Sequence, residues 1–120
     1  MNKVHHINGS LLLGEDVTSF SEAVANVFLL DVSLVDASSR VIAKQSIQGI
    51  SHMKGMKEYI RFDLNAENLD KKNDYTIRVH ISLHDSDEVM VGDYISTESY
   101  SIFPAENNPA PITVTVHEVG

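Results

Sequence analysis

The chain has 120 residues, the size of one domain with a real core and too short for two. Hydrophobic residues make up 42% and charged residues 22%, which is ordinary globular usage and excludes disordered, collagen-like and coiled-coil classes. Nine Lys and Arg against seventeen Asp and Glu give a net charge of −8, the wrong sign for a phosphate-backbone binder; the absence of cysteine excludes a disulfide framework, a thiolate nucleophile and a zinc-thiolate site.

From the N-terminus, no apolar core of an export signal is present, and the Leu11-Leu12-Leu13 run is far below the roughly 20 residues needed to cross a bilayer. No direct membrane insertion is expected. The chain belongs in the cytoplasm if Met1 is the native start, and in the periplasm or at the outer membrane if a signal peptide and lipid-accepting cysteine have been removed. Residues 3–9 and 11–13 read as the first strand. A second strand is expected over residues 24–36, with Phe28, Leu30, Val32 and Leu34 facing the core and Asp31 and Ser33 facing out. The polar cluster Asp36-Ala37-Ser38-Ser39 supplies side chains that bond nearby amides and so makes a turn into a third strand over residues 40–47. Residues 57–64 alternate Ile60, Phe62 and Leu64 with Tyr59, Arg61 and Asp63. Residues 66–73 are polar, with room for one helical turn anchored by Leu69.

The clearest period lies in residues 74–85. Tyr75, Ile77, Val79, Ile81 and Leu83 alternate with Thr76, Arg78, His80, Ser82 and His84, the pattern of a half-buried strand. A tight turn at Asp85-Ser86-Asp87 leads to Val89, so a hairpin is expected there. Gly92-Asp93 marks a bend within residues 89–103. Ile112, Val114 and Val116 alternate with Thr113, Thr115 and His117 in a final strand. About seven strands with short connections and no long helix predict an all-β, single-domain antiparallel β-sandwich over residues 1–120.

Chemistry-bearing residues are scattered. Six histidines invite a metal reading, yet His80 and His84 sit four strand residues apart, about 13 Å, too far for one ion held at about 2.0–2.1 Å. They read as a solvated strand face. His5 and His6 point to opposite faces, His52 lies in a Gly-bearing loop, and His117 is near the C-terminus. Asp85, Asp87 and Glu88 could hold calcium loosely but lack the pattern of a dedicated calcium loop. No nucleophile elbow, phosphate loop or dinucleotide fingerprint is present, so no catalytic residue, metal ligand or cofactor is assigned and the protein is expected not to be an enzyme.

The segment Asp31 to Ile47, DVSLVDASSRVIAKQSI, resembles the hallmark of the YbaY-like lipoproteins and the type III secretion pilotins of the YscW family. Asp31, Val32, Ser33, Asp36, Ala37, Val41, Ile42 and Ala43 carry the match. Phe62, Leu64, Tyr75, Arg78 and Ile81 continue it, and the similarity runs from about Gly9 to Val116. The resemblance implies a compact, non-catalytic β-sandwich that binds a protein partner, a secretion or envelope component; some members are secretin chaperones. The surface expected to take that partner consists of apolar residues off the core parity or in loops: Val27, Leu29, Val35, Met53 and Met56, rimmed by Lys54 and Lys57. Unbranched Met adapts its shape to a partner. The alternative reading is a small metal- or ligand-binding sandwich using the His80/His84 face or the Asp85–Glu88 turn.

Overall fold

A computed structural model describes residues 4–33, 40–67, 69–70, 72–84, 88–98, 100–102 and 112–120. Nine strands are present among them: β1 (Val4–Leu13), β2 (Phe20–Asp31), β3 (Arg40–His52), β4 (Glu58–Glu67), β5 (Tyr75–Ser82), β6 (Tyr94–Ile95), β7 (Ser101–Ile102), β8 (Ile112–Thr115) and β9 (His117–Glu118). They build two sheets. One has the order β4-β1-β8; the other has the order β3-β2-β5-β6-β9, with β7 also on β5. The fold is an all-β sandwich, antiparallel except for one pair: β8 runs parallel to β1, with Leu11 opposite Val114.

The inner faces of both sheets supply one hydrophobic cluster. Ile7, Leu11 and Leu13 of β1 meet Phe62 and Leu64 of β4, Val27 and Leu29 of β2, and Ile77, Val79 and Ile81 of β5. Burial of side chains this size stabilises by about 1.5–3 kcal/mol each. The strand over residues 75–82 has the predicted inward set, as do Phe62, Leu64, Val114 and Val116. Gly9 lies opposite Phe62, and a Cβ there would collide with the Phe62 ring and the Ile112 carbonyl. Only glycine lets the β1 backbone come this close to both neighbours.

Strand β2 corrects the sequence reading. Its inward residues are Ala23, Ala25, Val27 and Leu29, whereas Phe28 is half-buried and Val32 is 40% exposed beyond the strand end. Asp31 and Ser33 misled because they mark the end of the strand and not its wet face. β2 is also central, between β3 and β5, and Asn26 and Leu30 on its other face are buried too. A strand covered on both faces loses the polar alternation that reveals parity. Leu34 and the Asp36–Ser39 turn lie outside the described residues, as does the Asp85–Asp87 turn.

Other boundaries moved as well. β1 is one continuous strand, β3 extends to His52, and β4 takes in Ala66 where a helical turn was expected. Val89 is not in a strand. On the side away from β2, β5 pairs with β6, with His80 opposite Ile95 and Ile81 opposite Tyr94, and with β7.

Candidate functional site

The predicted apolar surface splits apart. Val27 and Leu29 are fully buried in the inter-sheet core and cannot meet a partner. Val35 lies outside the described residues. Met53 and Met56 are exposed, at 67% and 53%, in the turn between β3 and β4. Backbone bonds fasten that turn to the preceding β1–β2 loop: the Lys54 amide donates to Ser19 Oγ at 2.8 Å and the Gly55 amide to the Glu15 carbonyl at 2.9 Å. Gly55 has φ +93°, a left-handed conformation that suits glycine. Lys57 Nζ lies 5.8 Å from the centre of the exposed Tyr59 ring. The same end of the sandwich carries the exposed Val89, Met90 and Val91, because the β1–β2, β3–β4 and β5–β6 connections all leave from it.

His52 closes the base of the Met53–Met56 turn. Its ring is buried beside Phe20, at 6.0 Å between ring centres. Glu58 Oε1 lies 3.0 Å from His52 Nδ1 but off the direction of a hydrogen bond, so neither ring nitrogen has a hydrogen-bond partner among the described residues.

The expected solvated face of His80 and His84 holds for His84, which is exposed, and is corrected for His80. His80 is buried, and the two rings converge on Asp93, which is itself fully buried. His80 Nε2 donates to Asp93 Oδ2 and His84 Nδ1 to Asp93 Oδ1, each at 2.9 Å. Two amides complete the shell: Leu83 N donates to Oδ1 at 2.9 Å and Met90 N to Oδ2 at 3.0 Å. Burial pushes the Asp93 carboxyl up, and bonds from the Leu83 amide, His80, the Met90 amide and His84 outweigh that and hold it at about 2. One carboxylate thus ties the end of β5 to the loop before β6. The reading of residues 89–103 placed only a bend here; a lone Asp between Gly92 and Tyr94-Ile95 was the available signal. Among the described residues no three His, Asp or Glu side chains are placed to hold a metal ion.

The Asp31-Val32-Ser33 element has a structural task. Asp31 Oδ1 accepts from the Ser33 amide at 3.0 Å and Oδ2 from Asn73 Nδ2 at 3.1 Å. Ser33 Oγ accepts from the Asp74 amide at 2.8 Å, and the Val32 amide donates to the Asp74 carbonyl at 2.9 Å. The side-chain and amide bonds from Ser33 hold the Asp31 carboxyl below its usual range. Tyr75 acts similarly, its hydroxyl accepting from the Asp70 amide at 2.9 Å. These residues fasten the exit of β2 to the entry of β5.

Two of the clefts among the described residues border the sheets. One of about 480 Å³ is lined by Asn8, Ser10, Arg61 and Asp63 on the outer face of the smaller sheet, with Gln45 of β3 at its side. The other, about 270 Å³, lies over Leu30, Val32, Thr76 and Arg78. Among the described residues no helix is long and apolar enough to cross a membrane.

No family model and no curated protein matches the chain. Among solved structures, the chain is similar to an alternative pilotin from the type II secretion system of Vibrio cholerae. The TM-score is 0.68 and the sequences are 26% identical, with 97% of this chain and 99% of that one covered. The protein has a pilotin-like β-sandwich fold.

Proposed function

We propose that this chain is a non-catalytic interaction module of the pilotin kind, which binds a segment of a secretin or a related envelope component. The observation that carries this reading is the end-to-end likeness to the Vibrio cholerae pilotin. The YbaY/YscW-like segments at residues 31–47 and 62–81 support a narrower membership, although Asp31, Ser33 and Tyr75 do fold-stabilising work at those positions. Of the residues first assigned to the partner surface, Met53 and Met56 are exposed and stay in it.

The test is co-purification of the tagged chain with the secretin encoded by the same organism, together with secretin abundance in the outer membrane after gene deletion. The reading expects the secretin to be retained and its outer-membrane multimer to fall. A secretin that neither binds nor changes in amount rejects it.

A further inference from the structure

The third strand has an unusual charge for this protein. Between Asp36 and Glu58 there is no acidic residue, yet Arg40, Lys44, Lys54 and Lys57 lie there. Four of the nine cationic residues and none of the seventeen acidic ones fall in this stretch of a chain whose net charge is −8. The stretch is β3 and its following turn.

β3 is also the edge of the larger sheet. It pairs with β2 on one side, and among the described residues no strand pairs with the other side. Its 13 residues extend about 40 Å, close to the 44 Å length of the molecule. Such an edge presents unpaired amides and carbonyls that accept a further strand. β4 of the neighbouring sheet touches β3 from below: Gln45, on the inward parity with Ala43 and Ile47, reaches down and its Oε1 accepts from the Asp63 amide of β4 at 2.8 Å. That contact uses one β4 amide and the Gln45 side chain, and the lateral edge of β3 has no strand partner among the described residues.

The side chains along the edge define what can lie beside it. Ala43 and Ile47 are half-buried and pack against the core, offering an apolar seam on the inward side. Lys44 and Ser46 alternate with them on the outward side; Lys44 Nζ lies 5.4 Å from the centre of the Phe28 ring, so the cation is held at the surface above β2. Arg40 is exposed at the start of the strand, 3.8 Å from Asp31, and Val41 beside it is 53% exposed. A second copy of β3 would bring two strands of like net charge together, which disfavours self-pairing.

We propose that the outer edge of β3 is a docking strand for an extended partner segment that alternates apolar with acidic side chains. The apolar residues continue the Ala43–Ile47 seam and the acidic ones lie beside Lys44 on the opposite face, with Arg40 at the near end and Lys54 and Lys57 at the far end adding attraction. This deepens, and rests on, the partner-binding reading above.

The experiment selects phage-displayed random peptides of about twelve residues on the full chain. Selected peptides should alternate apolar residues with Asp or Glu, and amide shifts on titration should concentrate in residues 40–52. R40E/K44E should weaken binding roughly tenfold or more without moving the melt, and Arg40→Gln with Lys44→Gln should weaken it less. N-methylation of alternate peptide amides should abolish binding, which charge attraction alone would not do. Basic or amphipathic-helical selections, shifts centred on another strand, indifference to N-methylation, or no enrichment at all overturn the proposal. Self-association abolished by R40E/K44E also overturns it, in favour of a second copy as occupant. If the secretin co-purifies with R40E/K44E as well as with the wild type, the edge proposal fails while the partner reading stands; if it binds neither, the partner reading itself fails.

Discussion

Asp93 keeps a negative charge inside the protein because four donors converge on it, two from histidine rings and two from amides. Asn at this position retains one acceptor oxygen and turns an NH2 group toward two of those donors. Each buried donor left unpaired costs about 1–3 kcal/mol, so Asp93→Asn should lose about 2–4 kcal/mol in urea denaturation at neutral pH. The pH dependence has a definite sign. The folded carboxyl titrates at about 2, below its ordinary 3.8, so its contribution is present above pH about 4 and is lost as pH falls from about 4 to about 2. That part is about 2 kcal/mol. The gap between wild type and Asp93→Asn should therefore narrow across that window, and parallel curves would show that the carboxylate charge does not contribute. Gly9 gives a second residue-level expectation. Ala there must displace the Phe62 ring and also meet the Ile112 carbonyl, at a cost of about 1–3 kcal/mol. Phe62→Leu should relieve only part of that strain in a double-mutant cycle, because the carbonyl remains.

At the level of elements, legibility followed the polarity of the second face. β4 alternates buried Phe62 and Leu64 with exposed Arg61 and Asp63, and β5 alternates buried Tyr75, Ile77, Val79 and Ile81 with Thr76, Arg78, His80 and Ser82, which are polar even where they are buried, so period two was plain. β2 is covered on both faces, and its parity was misread from two polar residues that cap its end. The same error placed Val27 and Leu29 on a partner surface. The exposed turn at Met53 and Met56 could be read because Gly49 before it and Gly55 within it supply permissive backbone, and both have positive φ. The distinction is measurable. Leu29→Ala should cost about 2–5 kcal/mol by leaving a cavity between the sheets, whereas Met53→Ala should stay within about 0.5 kcal/mol. Equal losses at the two sites would contradict the burial of Leu29 or the exposure of Met53. The His80–Asp93–His84 cluster was not legible, since its members lie up to 13 positions apart and meet only when β6 folds back on β5.

For the whole molecule, the C-terminal residues join the two sheets. β8 lies parallel to β1 in the smaller sheet, Val116 is buried at the corner, and β9 pairs with β6 in the larger one. Alternation at Ile112, Val114 and Val116 announced a strand, but no local signal announces a change of sheet, because both pairings are with strands distant in sequence. The tail holds the Asp93 loop in place: the Gly92 amide donates to the Val119 carbonyl and the Val119 amide to the Asp93 carbonyl, each at 2.8 Å. Glu118 and His117 lie opposite Tyr94 and Ile95. Deleting residues 117–120 removes these links while leaving β8 on β1. At about 0.5–1.5 kcal/mol net per hydrogen bond, the loss should be about 2–4 kcal/mol. Its distribution is the sharper test. Hydrogen exchange should accelerate in residues 90–95 and at the Leu83 amide, whose acceptor is the Asp93 carboxylate, while the β1–β4 ladder exchanges as before. Uniform acceleration across both sheets would mean that the tail is integral to the whole core. An unchanged loop would mean that the Asp93 bonds alone hold it, with the tail contributing nothing.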